Sequence, residues 1–438
     1  MTSSPSATDA ARWLEESGVP RPRSIVRPDT LEEARRIVED ASFKGEAMTP
    51  LGGGMHFTIG NPPNRVDLIL HTTSLNHTVE YVPEEMTLTV EAGMHMDAVE
   101  KLLAAKGQML PLECYGFTGA TVGGVIAANQ SGPRRLLYGS ARDFVLGLRA
   151  ILPDGSLIKA GGKVVKNVSG YDLRKLFIGS FGTLGLIGEA SFKVYPIHER
   201  EATLLANYSQ LEDACHVASA ILNSHLMPQT LEITQPRFNE AVGREAVFSD
   251  GYTVAVGFCG LKEEVKRETS EAEDIAKRSQ PRKVDTLTRH EHVAFMRDLR
   301  EFPILARQSA AERAVGFKMA LLISKVPHAL NAMAHVAAKE GVDLNWVSHA
   351  GLGIIHATVA SKQDQFEETK ILVNALTEMR QVASEFEGSL VVEAAPRSVM
   401  RRLDAWGVNG PTVEIMRRIK AQFDPGNLMN PGRFVGGI

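Results

Sequence analysis

GGKVVKNVSGYDLRKLFIGSFGTLGLIGEASF, residues 161–192, places Gly179, Gly182, Gly185 and Gly188 three apart in an otherwise apolar run. Collagen has such a period, but this run is short and lacks the interleaved prolines. A Walker A phosphate loop needs a lysine directly after its second glycine, and Gly182 is followed by Thr183. The purpose of these glycines therefore has to be read from their neighbours.

Two other glycine-rich segments lie upstream. Gly52-Gly53-Gly54 follows a strand-like run, AMTPL, and consecutive glycines let backbone N–H groups converge on an anion such as a pyrophosphate. Residues 116–147, GFTGATVGGVIAANQSGPRRLLYGSARDFVLG, carry Gly119, Gly123 and Gly124 for close backbone approach. Asn129, Ser131 and Ser140 add neutral hydrogen-bonding groups, and Arg134 and Arg135 could steer an anion. None of the three segments is a G-x-G-x-x-G between strand and helix, which argues against a Rossmann nicotinamide site.

The segments sit in an α+β pattern spanning residues 21–197, after a flexible N-terminus over 1–20. PDTLEEARRIVEDA predicts a helix, with Thr30 and Glu33 as a capping box and Leu31, Ala34, Ile37, Val38 and Ala41 as its apolar face. FVLGLRAILPDGSLIKAG predicts a hairpin turning at Pro153-Asp154-Gly155. From 198 to 410 longer helical patterns alternate with single strands, LNWVSHAGLGIIHATVA among them. This predicts a sheet covered by helices. The tail, 411–438, is a helix stopped by Pro425 and Gly426 and then a compact turn-rich end.

At 438 residues the chain can bury a large core and hold two or three domains. A net charge of −4 argues against nucleic acid as the main partner. Cys114, Cys215 and Cys259 lie far apart, with no iron–sulfur or disulfide spacing. No apolar run approaches a membrane span, and MTSSPSATDA has no signal pattern. These features point to the cytoplasm, with any membrane association through a partner.

The order PLGGG, GATVGGVIAANQSGPRRLLYGSARDFVLG, GKVVKNVSGYDLRKLFIGSFGTLGLI resembles the FAD-binding domain of the vanillyl-alcohol-oxidase (PCMH) type. Within that family it is most similar to the FAD-binding subunits of bacterial glycolate oxidases. The likeness covers about 25–197 and resumes at RRIKAQFDPGNLMNPGRF. It implies a two-subdomain FAD-binding domain plus an α+β cap with an antiparallel sheet and helices on one face. It also implies FAD contacts at Gly52, Gly53, Gly54, Met55, Gly119, Thr121, Gly123, Gly124, Ser140, Asp143, Gly182, Thr183, Gly185, Ile187 and Asn430. Some members attach FAD through a histidine beside the glycine loop. Here Met55 holds that position and His56 follows as a surface-loop residue, so a non-covalent flavin is expected.

Related D-2-hydroxyacid dehydrogenases carry metal ligands and a catalytic histidine in the cap. The matching positions are His349, His356 and Glu393, but Leu352, Ile355 and Ala394 replace the polar neighbours and the base, and no metal is assigned. Read as one strand, residues 344–360 would point the two histidines to opposite faces unless Gly351 or Gly353 kinks it. Arg300 and Lys318 match the positions of substrate-carboxylate cations. The activity implied is oxidation of a small 2-hydroxy acid, glycolate or D-lactate, by hydride transfer to flavin N5. Electrons would pass to a second flavin subunit and an iron–sulfur subunit. The alternative is an FAD-binding relay or scaffold subunit without substrate oxidation of its own.

Overall fold

A computed structural model describes residues 7–16, 18–162, 171–236, 238–242, 250–309, 314–361, 367–408 and 410–438. The KNVSG part of the 161–192 segment lies outside the described residues. The chain forms two units. One comprises Met1–Ser131, Gly139–Ile197 and Asp404–Ile438, and the other Gly132–Tyr138 and His198–Leu403.

In the first unit, β1 (Ser24–Val26), β2 (Met48–Leu51) and β3 (Leu68–His71) form a small parallel sheet in the order β1-β3-β2. The helix Leu31–Phe43 supplies the crossover that parallel strands require. Thr30 caps it by accepting from the Glu33 amide, while the Glu33 carboxylate accepts from the Asp29 amide rather than that of Thr30. Its buried face is the one the spacing predicts. Leu31, Ala34, Val38 and Ala41 pack with Met48, Leu68, Leu70, Ile151, Leu186 and Met429. Each large side chain in that cluster contributes about 1.5–3 kcal/mol by leaving water. The cluster joins the helix, both larger strand systems and the C-terminal tail.

A second, antiparallel sheet has the order β4-β5-β9-β7-β8. Its strands are β4 (Thr78–Val82), β5 (Thr87–Glu91), β7 (Val145–Ile151), β8 (Leu157–Gly161) and β9 (Leu186–Lys193). Two short strands, β6 (Gln108–Met109) and β10 (Tyr195–Pro196), pair separately. The β7–β8 hairpin closes at the expected turn, where the Gly155 amide reaches the Leu152 carbonyl.

The second unit is built on eight antiparallel strands in the order β14-β11-β13-β12-β16-β17-β15-β18. These are β11 (Arg200–Tyr208), β12 (Thr230–Thr234), β13 (Tyr252–Gly260), β14 (Lys283–Thr288), β15 (Val315–Ala320), β16 (Val342–His349), β17 (Ile354–Ser361) and β18 (Ser389–Ala394). Helices Leu211–Leu222, Lys262–Lys277, Val326–Glu340 and Glu368–Glu385 pack on the sheet. The helix Arg289–Ser309 buries Met296, Leu299, Phe302 and Ala306 against Phe238 and Val347. The α+β class expected from the sequence is the class observed. Residues 344–360, read as one strand, prove instead to be a hairpin. β16 and β17 pair with His349 opposite Ile354 and Val347 opposite His356.

Candidate functional site

The site begins where β2 runs into Gly52-Gly53-Gly54. A β-carbon on Gly53 would stand 1.7 Å from the Gly119 carbonyl oxygen, and one on Gly52 would stand 2.0 Å from Thr121 Oγ1. Only glycine lets these two segments lie this close. The Gly53 amide points at Thr121 Oγ1 (3.4 Å), so Thr121, the N-cap residue of the helix Val122–Ala128, braces the glycine turn rather than its own helix. Gly123 and Gly124 lie inside that helix, and Gly123 packs against Ala92.

These segments wall one side of a cleft with about 730 Å³ of empty space, part of it open to solvent. Phe181, Gly182 and Gly185–Ile187 form another side, and Asn430 and Arg433 come from the tail. No aspartate or glutamate is among the lining residues. Asn430 is buried, in a left-handed conformation at φ 47°. Its Nδ2 donates to the Phe181 carbonyl (2.8 Å), which leaves Oδ1 buried without a hydrogen-bond partner at the cleft wall. A buried acceptor left unmet costs about 1–3 kcal/mol, so this oxygen calls for a donor from an occupant.

Arg433 is fully enclosed, and burial pushes its guanidinium down to about 10. It donates to the carbonyls of Phe57 and Ile59 and lies 4.8 Å over the Phe57 ring, fixing the loop after the glycines. His56 is buried in that loop rather than on the surface as its sequence context suggests. Its Nε2 lies 3.2 Å from the Tyr115 carbonyl.

Of the sequence candidates, Gly52, Gly53, Gly54, Met55, Thr121, Gly123, Gly124, Gly182, Gly185, Ile187 and Asn430 line this cleft. Gly119 stands behind Gly53. Three others do not line it. Ser140 and Asp143 bond to each other, since the Ser140 amide and hydroxyl both donate to Asp143 Oδ2 (2.8 and 3.2 Å) and cap the short helix Ala141–Phe144. Thr183 donates to the Ser180 carbonyl and borders a separate cavity behind the turn. The every-third glycines also divide. Added β-carbons at Gly185 and Gly188 would meet protein, the Ile151 carbonyl at 2.6 Å and Leu31 Cδ1 at 2.3 Å.

Sequence reasoning missed Phe57, Phe181 and Arg433 at the cleft. The one available signal was NPGRF, whose arginine sits three residues after Asn430. Arg134 does not point at an anion site. It belongs to the second unit, where it donates to both Glu201 oxygens (3.1 and 3.3 Å).

The second unit holds the remaining candidates. The hairpin turn, not a kinked strand, brings His349 and His356 to one face with ring centroids 5.2 Å apart. His349 Nδ1 is engaged by the buried Glu232 at 2.5 Å. His356 lies beside Glu393 (3.6 Å), and Lys318 Nζ is 3.9 Å from the other Glu393 oxygen. That 3.6 Å is too long for a hydrogen bond, and burial holds the His356 imidazole below its ordinary range. Among the described residues no cluster of His, Cys, Asp and Glu is arranged to hold a metal. Arg300, on the helix Arg289–Ser309, contacts its neighbour Glu301 at 3.1 Å.

Residues 22–161 match the family profile of an FAD binding domain, and residues 197–434 match that of FAD linked oxidases, C-terminal domain. The chain belongs to the FAD-linked oxidase family. It is similar to glycolate oxidase subunit GlcD of Bacillus subtilis, with 29% identity over 94% of this chain and 88% of that protein. D-lactate dehydrogenase of Archaeoglobus fulgidus is 29% identical over 98% of this chain and 96% of its own. Glycolate oxidase subunit GlcE of Escherichia coli is 43% identical, over 32% of this chain and 40% of its own. The fold is also that of p-cresol methylhydroxylase (TM-score 0.74, 15% identity, 94% and 88% of the two chains).

The FAD-linked oxidase is thus an oxidoreductase whose cofactor is FAD. Its cleft fits that group. The glycine walls leave backbone N–H groups uncovered, the absence of carboxylates suits a diphosphate, and Asn430 Oδ1 is an acceptor awaiting an N–H donor. No described helix is long and apolar enough to cross a membrane.

Proposed function

We propose that this chain oxidises a small 2-hydroxy acid such as glycolate or D-lactate and passes the electrons to partner subunits, including a second flavin subunit and an iron–sulfur subunit. The observation that carries the reading is the carboxylate-free, glycine-walled cleft with Asn430 Oδ1 at its wall. Relatives named as glycolate oxidase subunits and D-lactate dehydrogenase support the substrate class. Two differently named subunits of one enzyme among them support the complex.

Bound FAD supplies the two-electron acceptor. In this reading the Gly52–Gly54 backbone holds the diphosphate without a covalent bond to the protein, and Asn430 accepts a ring N–H. Arg300 and Lys318 supply positive charge for the substrate carboxylate, and the walls exclude water.

A second reading, an FAD-binding relay subunit without its own substrate oxidation, is favoured by one arrangement. Lys318 is shared with the Glu393 carboxylate, and Ala394 stands where the dehydrogenases carry a base. One anaerobic experiment separates the two. The purified chain is mixed with glycolate or D-lactate and the flavin band followed. Bleaching by the chain alone supports oxidation in this chain. Bleaching only with the partner subunits present supports the relay, and a chain that takes up no FAD overturns both.

A further inference from the structure

Behind the glycine turn, on the side away from the cleft, lies a buried lysine outside the site described above. Lys420, on the tail helix Pro411–Phe423, is 6% exposed, and Asp424 is 1% exposed. An ammonium group has three donors, and all three are used. Lys420 Nζ donates to the Thr183 carbonyl (2.7 Å), the Met429 carbonyl (2.8 Å) and Asp424 Oδ2 (2.6 Å). Asp424 in turn accepts from the amides of Leu428 (3.0 Å) and Met429 (2.7 Å). No proton is left over for a ligand or a reaction.

The partners, rather than the lysine, indicate the role. Thr183 directly follows Phe181 and Gly182, which line the cleft, and Met429 directly precedes Asn430, which also lines it. One side chain therefore ties together, from behind, two wall segments more than two hundred residues apart in sequence. On the cleft side the same segments meet only through Asn430 Nδ2 and the Phe181 carbonyl. A buried ion pair is a poor way to gain stability, because desolvating both charges offsets their attraction. Three directional bonds to fixed main-chain atoms are a good way to set a distance.

We infer that Lys420, held by Asp424, is a positioning residue that sets the spacing between the glycine turn and the Asn430 segment and so tunes FAD binding. This rests on the reading that the cleft holds FAD.

The test uses the full chain and FAD as the probe. Lys420→Met alone would strand a buried carboxylate, so it is paired with Asp424→Asn, which keeps an acceptor for the Leu428 and Met429 amides. The double variant is expected to keep the unfolding midpoint of the flavin-free chain while its Kd for FAD rises about tenfold or more and the bound flavin's midpoint potential moves. A Kd and potential equal to wild type, or lowered stability with unchanged Kd of the folded fraction, would overturn the inference. Should the double variant not fold, Lys420→Arg gives the reading. Its planar fork cannot meet three converging acceptors, so weaker FAD binding on an intact fold is expected, and an unchanged Kd counts against the role. A wild-type chain that binds no FAD would overturn the cofactor reading itself.

Discussion

The side-chain amide of Asn430 donates to the carbonyl of Phe181 at 2.8 Å, across 249 residues of sequence, and by doing so fixes which way its oxygen faces. Asn430→Leu removes both the tie and the waiting acceptor. The Kd for FAD should rise roughly tenfold, since one buried hydrogen bond left unmade is worth about 1–3 kcal/mol. Flavin fluorescence titration measures this. A Kd within twofold of wild type would remove Asn430 from the site.

Gly53 and Gly188 should separate two effects. Gly53→Ala drives a β-carbon into the Gly119 carbonyl at the cleft wall, so folded protein should lose FAD retention. Gly188→Ala meets the tip of Leu31 in the core instead. It should cost about 1–3 kcal/mol of stability while leaving the FAD affinity of the folded fraction unchanged. Chemical denaturation and FAD titration on both variants give the comparison, and loss of affinity in Gly188→Ala would contradict it.

His356 carries a pH signature. Burial lowers its folded-state pKa, so the folded protein keeps it neutral where the unfolded chain begins to bind a proton, below about 6.5. Its contribution to stability is therefore complete above that pH and is lost as pH falls toward the folded value. In His356→Gln the slope of unfolding free energy between pH 7 and 5 should flatten by up to about 1.4 kcal/mol per pH unit. Identical slopes would show that the imidazole does not stay neutral.

Arg134 holds Glu201 inside the second unit. Burial alone would raise the Glu201 carboxyl, but the hydrogen bond from His292 and the Arg134 charge bring it down to about 2. The pair lends stability above the ordinary carboxyl value of about 4.5 that is lost as pH falls toward 2. Arg134→Met should destabilise the chain by about 1–3 kcal/mol at pH 7 and shrink this acid-side loss. Urea unfolding at pH 7 and pH 4 reads both.

If the chain oxidises a 2-hydroxy acid itself, Arg300→Met or Lys318→Met should raise its KM about tenfold or more, with FAD content unchanged. Steady-state assays with glycolate and D-lactate, alongside the flavin absorbance ratio, check this. Unaltered KM in both variants would favour the relay reading.

Much of the architecture is legible along the chain. Thr30 with the apolar face after it, the Pro153-Asp154-Gly155 turn and the triple glycine after β2 are local signals, and each acts within a few residues of itself. The cleft glycines were legible for the same reason, because backbone that must approach closely tolerates no β-carbon.

Pairing was not legible. LNWVSHAGLGIIHATVA has the composition of one strand, and only cross-strand register reveals the hairpin that brings His349 and His356 together. Arg134 resembles an anion-steering residue until Glu201, 67 residues on, neutralises it. Ser140 and Asp143 resemble ligand contacts until each is found satisfying the other. By itself the sequence determined the class of fold and the glycine-walled backbone, which depend on local conformation and apolar period. Only the tertiary structure decided which polar groups remained for a ligand, because a side chain's free valence depends on partners that distant segments bring to it.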